Sequence, residues 1–438
     1  MADVEERIKE FVRERGVQVV GIAGPDRFEG AKMPSLDLSY SMKGAKSLVA
    51  MAFPMEPGPI YDFLSKKSPA PHNFDQFLKY QKLFRVEDAL ARHLESLGCR
   101  ARAVPLSADY RPLPYVFSTR PALSLRYGAI AAGIAGQGWS GNVMTKEYGA
   151  AIFLGAVVTD AELKSDPLIP AGYFIEEFCR RCRRCARVCP SGMFDGKEEE
   201  YVLYHGALHA RGKRHGIDRC NISCFGLHSL SADRKWTNWG LHWIDAWVEG
   251  QPRGEGKAGL VWAMLKKGLT TGDSEPRFHV LKKLCCILYP ENVFLKDIPA
   301  LSGFPAEEEA RYRILAELMR RMDIRGIEEY PIPMICGQCA LVCGPTLEET
   351  DRRYKMLISS GLVVPGEGGK MVRVDTFEEA TALRERYPLR IPASRMLRDA
   401  MASIVLWHRH YFGLGIPSLR QGFRYRRALG KALRKRAG

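Results

Sequence analysis

Residues 178–192 read FCRRCRRCARVCPSG, and this stretch decides how the rest of the chain is understood. Cys179, Cys182, Cys185 and Cys189 follow one another at intervals of three, three and four, with Pro190 directly after the last. Thiolates at that spacing wrap a cubic [4Fe-4S] cluster, three of them holding one cluster while the fourth turns to a second. A structural zinc knuckle is the plainer competitor, but zinc sites favour separated Cys-x-x-Cys pairs or histidine partners.

If Cys189 serves a second cluster, that cluster needs further ligands, and ICGQCALVCGP at 335–345 supplies them. Cys336, Cys339 and Cys343 repeat the first run with its leading thiol missing. The missing ligand comes from upstream, where Cys220, Cys224, Cys285 and Cys286 are the choices. The crossover of two-cluster ferredoxins then assigns Cys179, Cys182, Cys185 and Cys343 to one cluster. Cys189, Cys336 and Cys339 go to the other, with Cys220 taken as the eighth ligand.

The surroundings are bounded by composition. A chain of 438 residues that is 46% hydrophobic can bury substantial cores and form two or three packed units. Eight of its 12 cysteines fall into the ligand set, which excludes a disulfide scaffold and points to a reducing compartment. The opening MADVEERIKEFVRERG carries neither an apolar signal core nor a twin-arginine leader. No apolar run approaches the roughly 18 residues of a spanning helix, so a cytoplasmic location is expected.

Charge is uneven. The formal net charge is +15, and from Arg395 onward eleven Lys and Arg face one acid, Asp399. This tail interleaves Trp407, Tyr411, Phe412, Phe423 and Tyr425 with arginines, a pattern suited to a membrane surface, an RNA or a solvated helix packed on its own domain.

In chain order, Val4 to Arg15 reads as an amphipathic helix and Val17 to Ala23 as a strand. Gly44 to Pro54 is a buried strand, Phe74 to Leu97 a long helix ending at Gly98, and Arg100 to Pro105 a further strand. Gly133, Gly136, Gly138 and Gly141 then crowd around Trp139, which lets backbone pass close to a flat or bulky ligand. Ala150 to Thr159 is a continuous apolar strand. The fold class expected is α+β.

The segments GAKSLVAMAF, AGQGWSGN, AIFLGAVVTDAEL, CRRCRRCARVCPSG, DRCNIS and CGQCALVC occur in an order that resembles the epoxyqueuosine reductase and reductive dehalogenase superfamily, over roughly residues 17–345. The resemblance implies a nitroreductase-like domain at 1–170 and a two-[4Fe-4S] ferredoxin-like domain at 171–345. A helical insertion occupies about 225–335 of the latter, and a C-terminal extension fills 346–438. It also implies base-off cobalamin between the domains, clusters that pass single electrons to cobalt, and reductive cleavage of a carbon-heteroatom bond in a small-molecule substrate. A ferredoxin or flavodoxin-type donor would supply the electrons. Gly136, Gly138, Trp139, Ser140, Gly141 and Asn142 are the expected corrin contacts. A two-cluster electron carrier without corrinoid and an epoxyqueuosine reductase-like tRNA modification are the alternatives.

The departures bear on the proton donor. Epoxyqueuosine reductases place an aspartate ahead of the glycine-rich loop; Ala122 stands near that position, and no carboxylate occurs between Arg111 and Met144. Dehalogenases of the superfamily use a tyrosine with a basic partner, for which Tyr127 beside Arg126 is the nearest equivalent, with Lys146 or Tyr148 in support. Trp236, Trp239, Trp243 and Trp247 recur at helical spacing, which predicts one helical face serving as core or as a lid, with His242 or Asp245 at its edge. His205, His209 and His215 are expected at the surface or the cluster edge, where basic charge helps dock an acidic donor. The segment after Pro345 reads as an appended unit containing the turn PGEGGK and a helix in TFEEATALRER.

Overall fold

The sheet at the centre of the chain is built from β1 (Val19–Ala23), β2 (Ser47–Pro54), β3 (Ala101–Ala103) and the later β8 (Ile152–Thr159), ordered β1-β2-β8-β3 with every pair antiparallel. This computed structural model describes residues 4–29, 36–104, 110–111, 120–121, 123–215, 219–220, 223, 228–240, 243, 336–388, 427–428 and 430–436.

Both faces of the sheet are covered, which is why β2 reads as an unbroken apolar run. Alternate residues of β2 and β8 divide between the faces. Val49, Met51, Phe53, Phe153 and Val157 meet α1 (Val4–Glu14), α2 (Pro57–Leu64) and α3 (Ala70–Ser96) through Ile8, Val12, Ile60, Phe63, Leu83, Leu90 and Leu94. Each fully buried leucine in that layer stabilises the fold by about 2 kcal/mol. Leu48, Ala50, Ala156 and Val158 face the other way, toward Ala129, Ile130 and Ala131 of α4 (Leu125–Ala131). Beyond the end of β3, Glu87 from α3 accepts the Ala156 N–H at 2.8 Å, and burial holds its carboxyl well above the usual range. A Cβ on Gly155 would stand 2.2 Å from that carboxylate, so the strand needs glycine there.

Two short pairings, β4 (Tyr110–Arg111) with β5 (Arg120–Pro121) and β6 (Gly136–Gln137) with β7 (Val143–Met144), precede β8. The cysteine run follows on two short turns, α5 (Arg180–Cys182) and α6 (Arg184–Arg187), separated by Arg183 in the left-handed region at φ 51°. Next comes a hairpin of β9 (Phe194–Tyr204) and β10 (Ala207–Arg214). Its two-residue turn has His205 at φ 44° and Gly206 at φ 73°, the double positive φ that matches strand twist.

After Cys336 the chain forms α7 (Gln338–Leu341), α8 (Leu347–Ile358), the hairpin of β11 (Leu362–Pro365) and β12 (Met371–Val374), and α9 (Phe377–Arg386). Thr346 and Thr376 cap α8 and α9 by accepting the N–H of Glu349 and Glu379, the pattern of Thr-x-x-Glu starts. Leu357 and Val363 join the same buried cluster as Ile8 and Leu83, so this segment shares a core with the sheet.

The tryptophan segment corrects an expectation. Residues 236–240 are not helical: Thr237 bridges Leu230, its Oγ1 accepts the Val363 N–H, and Asn238 Oδ1 accepts the Gly240 N–H. Trp236 and Trp239 enter the α2–α3 core, where Trp239 Nε1 donates to the Phe63 carbonyl at 3.0 Å, while Trp243 stacks on Phe377 elsewhere. Trp247, His242 and Asp245 lie outside the described residues, as does nearly all of the basic tail. Among the described residues no helix is long and apolar enough to cross a membrane.

Candidate metal centre

The geometry sorts the eight predicted thiols into two groups. Cys179 and Cys343 flank the Met144 sulfur at 4.0 and 3.8 Å, and Cys182 and Cys185 stand within electrostatic reach of both. Cys220 and Cys336 stand within the same reach of both Cys189 and Cys339, which are also near each other. Cys185 also senses Cys339, so the two groups adjoin. The structure therefore brings together the two sets of four that the crossover predicts, Cys220 among them. Cys224, Cys285 and Cys286 lie outside the described residues.

Local folding produces this arrangement. The left-handed Arg183 turns α5 into α6, so Cys182 and Cys185 face back toward Cys179. Arg183 is held by its Nη1 donating to the Gly196 carbonyl at 2.8 Å and by its guanidinium over the Trp139 ring at 4.5 Å. The returning strand is fixed at Gly149, where a Cβ would approach Gly344 to 2.4 Å, and by the Ala150 N–H donating to the Cys343 carbonyl at 3.0 Å. A small cleft of about 20 Å³ lies between Cys179, Cys182, Cys185 and Cys343, with Trp139 and Met144 in its wall.

Burial pushes the Cys179 thiol up to about 12 and Cys189 up to about 11, and raises Cys182, Cys185, Cys339 and Cys343 as well. As bare thiols these groups would be inert; thiolates become stable here only beside metal cations. Among the described residues no three Cys, His, Asp or Glu side chains converge on a single ion. A cubane does not require that, since each thiolate binds its own iron.

The glycine-rich loop serves the thiols rather than an open surface. Trp139 is 1% exposed, its Nε1 donates to the Asp195 carbonyl at 2.8 Å, and Gly212 packs against its ring. Gly136 lies under Phe174, Gly138 under Met144, and Arg214 lies on Gly141 while donating to the Ser140 carbonyl at 3.3 Å. Asn142 Nδ2 donates to the Cys339 sulfur at 3.3 Å. Of the loop residues expected at a corrin, Gly136, Gly138, Trp139, Ser140 and Gly141 are buried by protein and Asn142 is half-buried.

Of the predicted catalytic group, Tyr127 is half-buried near the start of α4 and Arg126 is exposed, its Nη1 reaching the Gly141 carbonyl at 3.5 Å. The cation at the Tyr127 hydroxyl is Arg211 of the hairpin, whose Nη1 stands 3.5 Å away. Sequence reasoning missed Arg211 because the hairpin itself was not foreseen. Lys146 is exposed and lies over the Tyr173 ring at 5.1 Å, and Tyr148 donates its backbone N–H to Thr145 Oγ1. The three histidines separate. His205 is exposed against Arg27, and His215 faces Asp195 at 3.4 Å. His209 is buried beside Tyr204, not at the surface, and burial lowers its pKa to about 4.

No protein-family model matches the chain. A tetrachloroethene reductive dehalogenase from Desulfitobacterium hafniense is 33% identical over 75 residues, 17% of this chain and 13% of that protein. An epoxyqueuosine reductase from Atelocyanobacterium thalassa is 42% identical over 60 residues, 13% of this chain and 18% of that protein. The alignments thus span less than a fifth of either relative. Among solved structures, an epoxyqueuosine reductase from Streptococcus thermophilus covers 92% of this chain and 99% of its own at 14% identity and a TM-score of 0.33. A catabolic reductive dehalogenase covers 59% of this chain and 33% of its own at 15% identity and a TM-score of 0.36. The local sequence matches relate this chain to the superfamily of the reductive dehalogenases and epoxyqueuosine reductases.

Proposed function

We propose that the chain is an iron–sulfur oxidoreductase that passes single electrons through two [4Fe-4S] clusters to a small-molecule acceptor beside Tyr127. The observation that carries this reading is the exchange of the last cysteine of each run. Cys343 joins Cys179, Cys182 and Cys185, whereas Cys189 joins Cys220, Cys336 and Cys339. Soft thiolates in two adjoining sets of four suit iron–sulfur cubanes, which supply one-electron chemistry when bound.

The chain's own residues do the rest. Asn142 donates to Cys339, and two residues of the same loop, Ser140 and Gly141, carry the carbonyls that hold Arg214 and Arg126. A short path therefore runs from the second thiol group to the arginines around Tyr127. The Tyr127 hydroxyl, with Arg211 Nη1 3.5 Å away, is the O–H donor placed to give a proton to an acceptor that has taken up electrons. The cobalamin implied by the resemblance would meet a loop covered by protein from Gly136 to Gly141, with Asn142 half-buried. The buried loop favours a second reading, a two-cluster electron carrier whose acceptor is another redox protein.

The test is iron content and electron paramagnetic resonance on anaerobically purified protein. Wild type is expected to hold about eight irons in two distinguishable signals, and Cys343→Ser and Cys339→Ser each to lose a different signal. Zinc in place of iron, or one signal lost in both variants from folded protein, refutes the assignment. Turnover by Tyr127→Phe equal to wild type with a small acceptor removes the tyrosine and favours the carrier.

A further inference from the structure

We infer that Arg126, Arg211 and Arg214 form a binding site for a small oxyanion, a carboxylate or phosphate group, next to the Tyr127 hydroxyl. Arg126 from α4 and Arg214 from β10 reach the Gly141 and Ser140 carbonyls of the loop, and Arg211 from β10 stands at the Tyr127 hydroxyl. Arg214 is the innermost. Its Nη2 donates to the Ser140 carbonyl at 3.3 Å, and its Nε is buried with no hydrogen-bond partner. Gly141, at φ +73°, makes room for it: a Cβ there would stand 1.8 Å from Arg214 Nη2. Arg126 is exposed and marks the way in, reaching the Gly141 carbonyl at 3.5 Å.

Glu200 is the carboxylate seen to act on Arg214, and it is engaged by Arg211 Nε at 2.7 Å. Burial, then repulsion from Arg211 and Arg126, lowers the Arg214 pKa to about 10. A buried guanidinium with a free N–H is costly unless an acceptor meets it. With Nη2 on the Ser140 carbonyl, the Arg214 fork keeps Nε as the donor for one oxygen of a carboxylate or phosphate, and Arg126 adds a second guanidinium at the way in. The Tyr127 hydroxyl, 3.5 Å from Arg211 Nη1, offers a further donor to the same anion. An anion held here would place the rest of its molecule at the phenol, so an acidic small molecule is the class of acceptor selected. Only that last step rests on the reductase reading; the binding site stands without it.

Calorimetric titration of the anaerobically purified full chain tests the site without turnover, with inorganic phosphate and benzoate as probes and chloride at matched ionic strength as the reference. At least one probe is expected to bind saturably where chloride does not, and which one binds tells phosphate from carboxylate. Arg214→Lys keeps the charge but loses the fork and is expected to weaken binding about tenfold or more. Arg126→Gln, at an exposed position that leaves the core intact, is expected to weaken it too. Neither probe binding above chloride, or affinities unchanged in both variants, overturns the site. Iron content measured on the same samples separates this result from failure of the cluster assignment.

Discussion

Asn142→Leu provides a direct probe of how the loop tunes the thiol groups. The Asn142 side chain donates to the Cys339 sulfur at 3.3 Å, and Leu removes that donor at nearly constant volume. The backbone hydrogen bonds of residue 142, from its N–H to Ser140 Oγ and from Gly138 N–H to its carbonyl, survive the change. A hydrogen bond to a charged group is worth about 1.5–3 kcal/mol. Both oxidation states of a thiolate-bound cluster are anionic, so only part of that worth, roughly a third, distinguishes the more negative reduced state. The resulting 0.5–1 kcal/mol corresponds to about 20–45 mV for one electron, using 59 mV per tenfold change. Losing a donor destabilises the reduced form, so the potential falls. In a redox titration followed by electron paramagnetic resonance, one of two signals is expected to move down by that amount while the other stays within error. The moving signal is the one that Cys339→Ser removes. A shift in the Cys343-dependent signal instead, or equal shifts in both, would refute the grouping of the thiols.

Other consequences concern stability and pH. Gly141→Ala forces a side chain into the left-handed region, costing about 1–2 kcal/mol, and pushes on Arg214; the melting temperature is expected to fall, with part of the loss regained in Gly141→Ala/Arg214→Ala. Trp239→Ala empties a site against Phe63 and removes the bond to its carbonyl, for an expected loss of about 3–5 kcal/mol in urea unfolding. Burial lowers the His72 pKa to about 4, below the roughly 6.5 of an unfolded chain. Protons therefore bind the unfolded state first. The stability tied to this histidine is complete above about pH 6.5 and is lost as pH falls toward 4, by roughly 2 kcal/mol at pH 5. His72→Gln is expected to flatten that part of the urea-midpoint profile, and a profile unchanged by the variant contradicts the burial argument.

The thiol groups were legible because ligand spacing is a local property that survives any tertiary arrangement. The strands at 17–23, 44–54 and 150–159 were legible for a related reason: a sheet covered on both faces leaves long apolar runs. The β9–β10 hairpin was not read. Its first strand carries Glu198, Glu199 and Glu200, which blur alternation. The His205-Gly206 pair was the available signal, a two-residue turn of the kind that closes hairpins. The tryptophan segment failed for the opposite reason. A helical period over four residues is weak evidence, and Asn238 and Gly240 hold a turn that leaves Trp236 and Trp239 in one core and Trp243 in another. Missing the hairpin also hid Arg211 and Arg214, whose approach to the loop depends on tertiary contact alone.

One feature of the thiol groups reaches beyond electron flow. Cys220 and Cys336 stand 116 positions apart in sequence, yet both belong to the set around Cys339. Metal captured there would work as a clasp between two distant parts of the chain. Closure entropy grows so slowly with length that doubling a separation costs only about 0.6 kcal/mol more. Two ligands this far apart are therefore joined at little extra cost over near neighbours, and demetallation is expected to lower the urea midpoint of the full chain.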